Sequence, residues 1–187
     1  MKGGCASCPV RSEACGVKSR VVALLGNPNS GKTTIFNALT GLHQKVGNYP
    51  GVTVDKRTGR FSIGDLDIEV VDLPGTYSLV ATSPDEEVVA EFLRGGRADL
   101  RAPDVLVAVV DASNLSRNLY LVSQLLDLGR PLVVALNMTD VAERRGQPVE
   151  ARKLAQALGC QVVPLVGHRQ SGIDDLRHAL ATATAHS

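Results

Sequence analysis

One stretch of nine residues limits what this chain can become. GNPNSGKTT, at 26–34, fits the pattern Gly-x-x-x-x-Gly-Lys-Thr. That pattern works only in one setting: a buried strand runs into a glycine-framed loop, and a helix leaves it. The flanks supply both, RVVALL at 20–25 as the strand and 33–39 as a helix with Ile35, Phe36 and Leu39 turned inward. Backbone N–H groups of such a loop curl around a phosphate, and the helix N-terminus adds the positive end of its dipole. Lys32 supplies a charge to the β- and γ-phosphates, and Thr33 a hydroxyl for Mg²⁺.

The rest of the chain continues this alternation. Strand-length apolar runs are read at 57–63, 66–71, 105–110, 132–136 and 161–164, with Gly64-Asp65 turning the first two into a hairpin. Helical patterns are read at 84–93, at 115–126 ended by Gly129, at 148–158 between Pro148 and Gly159, and around Ile173, Leu176 and Leu180. Residues 43–55 are polar and rich in Gly and Pro, and read as a loop. The expectation is an α/β protein: a six-stranded, mostly parallel sheet with helices on both faces and 57–63 antiparallel at its edge. One domain is expected over 18–184, preceded by a Cys-containing segment at 1–17.

Composition narrows the partners. Of 187 residues, 20 are Lys or Arg and 19 Asp or Glu, a net charge of +1 that gives no field to attract nucleic acid. No apolar run approaches the roughly 18–20 residues that cross a bilayer, so the chain is not expected to be a pore. No signal peptide is read at the N-terminus. Three of the four cysteines, Cys5, Cys8 and Cys15, crowd the leader. They read first as part of an end segment, and second as a metal site taking a fourth ligand from elsewhere.

A phosphate loop does not distinguish ATP from GTP; the sequence NMTD at 137–140 does. Asn137 and Asp140 follow a buried strand, where the strand ends of such sheets face a nucleotide. A carboxylate there accepts two hydrogen bonds from guanine, N1–H and the exocyclic amine, whereas adenine offers no such pair. In DLPG at 72–75, Asp72 is placed to hold Mg²⁺ through water and the Gly75 N–H to reach the γ-phosphate. Thr53, in Gly51-Val52-Thr53, is the candidate second hydroxyl on Mg²⁺. Both loops would be ordered by the triphosphate and released after hydrolysis. His43, His168, His178 and His186 read as surface or loop residues, Asp111 as a strand-end turn residue, and Tyr49 as a shield of the nucleotide.

Taken together, GNPNSGKTT, NYPGVTV, DLPGTYSL and NMTD, with SPDEEVVAEFL at 83–93, resemble the G domain of the FeoB ferrous-iron transporter family over about 21–180. The resemblance implies a small-GTPase fold on the cytoplasmic side of the inner membrane, joined in complete members to a helical regulatory domain and a membrane permease. It implies a GTP-hydrolysing switch that regulates ferrous iron uptake, with this chain a piece of such a transporter. GTP or GDP would contact Gly26, Asn27, Pro28, Asn29, Ser30, Gly31, Lys32, Thr33, Thr34, Gly51, Val52, Thr53, Asp72, Leu73, Pro74, Gly75, Asn137, Met138, Asp140, Val166, Gly167 and His168. Lys32, Asn29, Thr53 and Gly75 would carry catalysis. At the second guanine loop a Ser-Ala-like pair is usual; here the segment reads LVGHRQSG.

Thr76 stands where Ras-type proteins carry a water-orienting Gln. Hydrolysis is therefore expected to be slow, down to about 10⁻⁴ s⁻¹ as in unassisted Ras. Asn29 matches the asparagine that helps hold K⁺ in potassium-activated GTPases, a cation that would offset developing charge. A homo-oligomer is an open expectation. The alternatives are a stand-alone GTPase of RNA modification or ribosome assembly, and a non-enzymatic module whose Cys leader senses metal.

Overall fold

The computed structural model describes residues 18–41, 44–48, 55–80, 83–95 and 101–184. Its centre is a seven-stranded sheet in the order β2-β3-β4-β1-β5-β6-β7. The strands are β1 (Lys18–Gly26), β2 (Gln44–Asn48), β3 (Asp55–Ile63), β4 (Leu66–Asp72), β5 (Val105–Asp111), β6 (Leu132–Asn137) and β7 (Gln161–Pro164). β4, β1, β5, β6 and β7 run parallel, while β3 is antiparallel to both β2 and β4.

Two expectations are corrected here. The segment 43–55 is not all loop: β2 lies in it, so the sheet has one strand more than the six expected, and β2 rather than 57–63 forms the edge. QKVGN carries no alternating apolar signal, and Val46 is 70% exposed. Pairing with β3, not burial, makes it a strand.

The helices are α1 (Lys32–Thr40), α2 (Pro84–Arg94), α3 (Leu115–Leu126), α4 (Thr139–Arg144), α5 (Ala151–Leu158) and α6 (Ile173–Thr182). The sheet's alternation sorts them. Val22 and Leu24 of β1 face α1 and α6, packing with Ile35, Phe36, Leu39, Leu176 and Leu180. Val21, Ala23 and Leu25 face the other way, into a core with Val89 and Phe92 of α2 and Leu121, Val122 and Leu125 of α3. A central strand buried on both faces needs this unbroken apolar run.

α5 begins at Ala151, later than the Pro148 start expected. α4 was not foreseen: it is a six-residue turn launched from Met138, whose backbone is left-handed at φ 59°. The hairpin at Gly64-Asp65 joins β3 to β4 as expected. No described helix is long and apolar enough to cross a membrane.

Candidate nucleotide site

All the parallel strands end on one side of the sheet, and Lys32, Asp72, Asn137 and Asp140 lie at those ends or in the turns that follow them. β1 lies where the order reverses, with β4 on one side and β5 on the other. In open α/β sheets such a switch point forms the ligand crevice. The 27–31 loop leaves β1 at this point and enters α1.

The loop leaves no spare room. Gly31 has φ 88°, and a Cβ there would fall 2.2 Å from Asn137 Nδ2. A left-handed position in so close an approach admits only glycine. Asn29 is also left-handed, at φ 66°, and its side chain is exposed at the crevice. Asn27 and Ser30 are buried, at 4% and 2% exposed. Pro28 is exposed and backs onto Gly75, whose added Cβ would lie 3.4 Å from it. Thr33 and Thr34 stand exposed in the first turn of α1.

Lys32 Nζ donates to Asp72 Oδ1, joining α1 to the end of β4. Asp72 is only 7% exposed. Beyond it, Leu73 is buried, and its N–H donates to Leu24 O at 3.1 Å; Pro74 is half-buried. Thr76 N–H donates to Gly26 O at 3.2 Å. The sensing loop is thereby stitched to the phosphate loop. Thr76 itself is 2% exposed. Its hydroxyl donates to Ser78 O at 2.5 Å and reaches Glu86 Oε1 at 3.2 Å. That side chain is turned into the protein.

Asn137 joins the two ends of the site. Its Nδ2 donates to Ser30 O at 3.0 Å, and its Oδ1 accepts from Gly167 N at 3.0 Å. Thr139 Oγ1 donates to Leu165 O at 3.1 Å, fixing the same two segments below. Met138 and Val166 are half-buried beside them.

Asp140 is different. Both carboxylate oxygens are buried and neither has a hydrogen-bond donor. Arg144 Nη2 lies 3.2 Å from Oδ2 and His168 Nε2 lies 3.9 Å from it. The arginine is a charge neighbour without hydrogen-bond alignment, so its proximity and the unsatisfied oxygens are both real. A desolvated carboxylate short of donors demands a partner. Two parallel N–H donors on a flat base meet that demand.

Several expected residues fall outside the described ones: Gly51, Val52, Thr53, Cys5, Cys8, Cys15, His43, Tyr49 and His186. Among the described residues no group of His, Cys, Asp or Glu could hold a metal ion by itself. Asp111 is the turn residue expected, its Oδ1 accepting from Ser113 N at 2.8 Å. His168 and His178 are exposed, as expected. Sequence reading missed Arg117, whose guanidinium lies 4.3 Å over the ring of Tyr77 beside the crevice. No motif announces that pair.

Comparison with known proteins agrees with the geometry. Residues 20–180 match the family described as Ferrous iron transport protein B. The Fe(2+) transporter FeoB of Escherichia coli (strain K12) is 51% identical over 168 residues, 88% of this chain and 21% of that protein. Its counterpart in Legionella pneumophila (strain Paris) is 52% identical over 161 residues, 84% of this chain and 21% of that protein.

Among solved structures, the cytosolic domain of L. pneumophila FeoB is similar at a TM-score of 0.83 and 50% identity, with 89% of this chain and 64% of that one covered. A mutant of S. thermophilus NFeoB bound to GDP gives 0.80 and 43%, covering 88% and 63%. The FeoB G-domain from Methanococcus jannaschii gives 0.76 and 42%, covering 88% and 96%. The chain thus spans about a fifth of the curated relatives it matches. The RNA-modification and ribosome-assembly alternative is not the family found.

Proposed function

The chain belongs to the Ferrous iron transport protein B family, and on that premise we propose that it is a GTP-binding, GTP-hydrolysing domain that regulates ferrous iron uptake by a membrane permease. The observation that carries the nucleotide reading is Asp140, two buried carboxylate oxygens without donors at the end of the crevice. Guanine supplies N1–H and the exocyclic amine to them; adenine would leave them unpaired. Asn137 ties the 27–31 loop to the 166–168 segment, which supports a common nucleotide site between them.

Backbone N–H groups of 27–33 cradle the phosphates, with Lys32 neutralising the β- and γ-oxygens. Lys32 would release Asp72 to do so, and the freed carboxylate would be available to hold Mg²⁺. The chemistry of the donors fits: a buried carboxylate at 72, hydroxyls at Thr33 and, in the undescribed segment, Thr53. Mg²⁺ would supply charge neutralisation across the β- and γ-phosphates. Gly75, set against Pro28, presents its N–H toward the terminal phosphate. The inward Thr76 leaves the attacking water without a side-chain amide, so unaided turnover is slow. Asn29, exposed at the crevice, offers an amide oxygen to K⁺, which would offset developing charge there.

The remaining parts of the reading rest on family membership: a helical regulatory domain, a permease and a place at the cytoplasmic side of the inner membrane. The test of the nucleotide reading is direct. With Mg²⁺ present, GDP and GTP should bind at least about 100-fold more tightly than ADP and ATP, the discrimination expected where a buried polar pair is lost. Preference for the adenine nucleotides overturns it.

A further inference from the structure

Three contacts fasten the segment after Gly75 to its surroundings, and two of them come from one helix. Thr76 N–H donates to Gly26 O, and Leu79 N–H donates to Gln124 Oε1 of α3 at 2.8 Å. Tyr77 lies under the Arg117 guanidinium of α3 at 4.3 Å. The backbone of Arg117 is in turn tied to the phosphate loop: Asn27 Nδ2 donates to its carbonyl at 3.4 Å.

Arg117 and Tyr77 close a cavity of about 230 Å³ whose other walls include Asn27, Ser30, Asp111 and Asn118. Asn27 is 4% exposed and its Oδ1 has no partner. The phosphate loop therefore does not fill the space beneath Tyr77. Over its ring lies the Arg117 guanidinium. Tyr77 is otherwise at the surface, 40% exposed, and two residues from Gly75.

We propose that Arg117 is a positioning residue: by stacking on Tyr77 it clamps the sensing loop against the phosphate loop, so that Gly75 stays aligned for a third phosphate. This rests on the guanine-nucleotide reading for the ligand sensed. In this role Arg117 acts through Tyr77. GDP lacks the group that Gly75 reads, so the clamp acts on triphosphate affinity and leaves diphosphate affinity alone. A merely structural role would weaken both together.

The chain contains no Trp, so Tyr77→Trp gives a single reporter that keeps a ring for the cation. Without nucleotide, acrylamide should quench this reporter about twofold more efficiently after Arg117→Ala and unchanged after Arg117→Lys, as loss and retention of a cation–π contact require. Equal quenching in all three overturns the clamp.

In the protein with Tyr77 intact, Arg117→Ala should weaken binding of a non-hydrolysable GTP analogue about two- to fivefold, the size of one exposed cation–π contact. GDP binding should hold, and Arg117→Lys should restore most of the loss. Equal weakening of both nucleotides, or of neither, overturns the positioning role. Failure of the parent protein to bind any guanine nucleotide sinks the guanine reading instead, and the quenching comparison still decides the clamp.

Discussion

At the residue scale, the site is a contest between satisfied and unsatisfied polar groups. Asp140 is the unsatisfied one. Asp140→Asn should lower GDP affinity about 100-fold or more, since one acceptor becomes an N–H donor facing a guanine donor and the other loses its charge. Thermal unfolding without nucleotide should change little, because its charge neighbour Arg144 is itself 65% exposed and such a pair is worth little. Asn137 is the satisfied one. Asn137→Ala leaves Ser30 O and Gly167 N unpaired in a buried place, and should cost about 3 kcal/mol in urea unfolding, with nucleotide affinity falling as well. Asn29 carries the potassium reading: turnover in KCl should exceed turnover in NaCl, and Asn29→Ala should erase the difference. Equal rates in the two salts would remove K⁺ from the mechanism. These residues were legible because each stands at a fixed offset in a motif. Arg117 and Tyr77 were not, since their contact is created by the docking of α3 beside the sensing loop and leaves no trace in either local sequence.

At the scale of elements, legibility followed burial. β1, β5 and β6 are apolar on both faces and could be read as nothing else. β2 is half-buried at best and is defined by its neighbour. α4 is too short for periodicity, and depends on Met138 adopting a left-handed backbone. The start of α5 follows the same lesson: a Pro is permitted in the first turn but does not oblige a helix to begin there. α2 shows an end signal that was obeyed. Ser83 accepts from Glu86 N at 3.3 Å, and the Glu86 carboxylate takes the Thr76 hydroxyl. Ser83→Ala should destabilise the protein by about 1 kcal/mol, the usual cost of a lost N-cap, measured as a lower urea midpoint at unchanged slope.

At the scale of the whole molecule, ligand and acid–base effects add to a common stability. A nucleotide that binds the folded chain alone, present at 100 times its Kd, adds about 2.7 kcal/mol. For a chain of this size that is a rise in Tm of roughly 5–10 °C. GDP with Mg²⁺ should produce it and ADP should not, as read by differential scanning fluorimetry. The alkaline limit involves Cys160, just before β7 and 6% exposed. Burial pushes its thiol from 9.0 up to about 11. The folded state then keeps a proton that the unfolded chain gives up, so this contribution is complete below 9.0 and drains away as pH rises through about 11. Cys160→Ala should show a shallower fall of stability across that window. An identical fall in both proteins would mean other groups set the limit.

The Lys32–Asp72 pair is shielded, at 13% and 7% exposed, so an anion drawn to that ammonium must first displace a carboxylate. A solitary sulfate or orthophosphate could claim the ammonium only by stranding a shielded acid, and so gains little from entering. An anion that arrives with its own divalent cation replaces both halves of the bond in one event. On the proposed reading, an anion that brings its own cation would have the advantage over a bare one, because it offers a partner to each half of the pair.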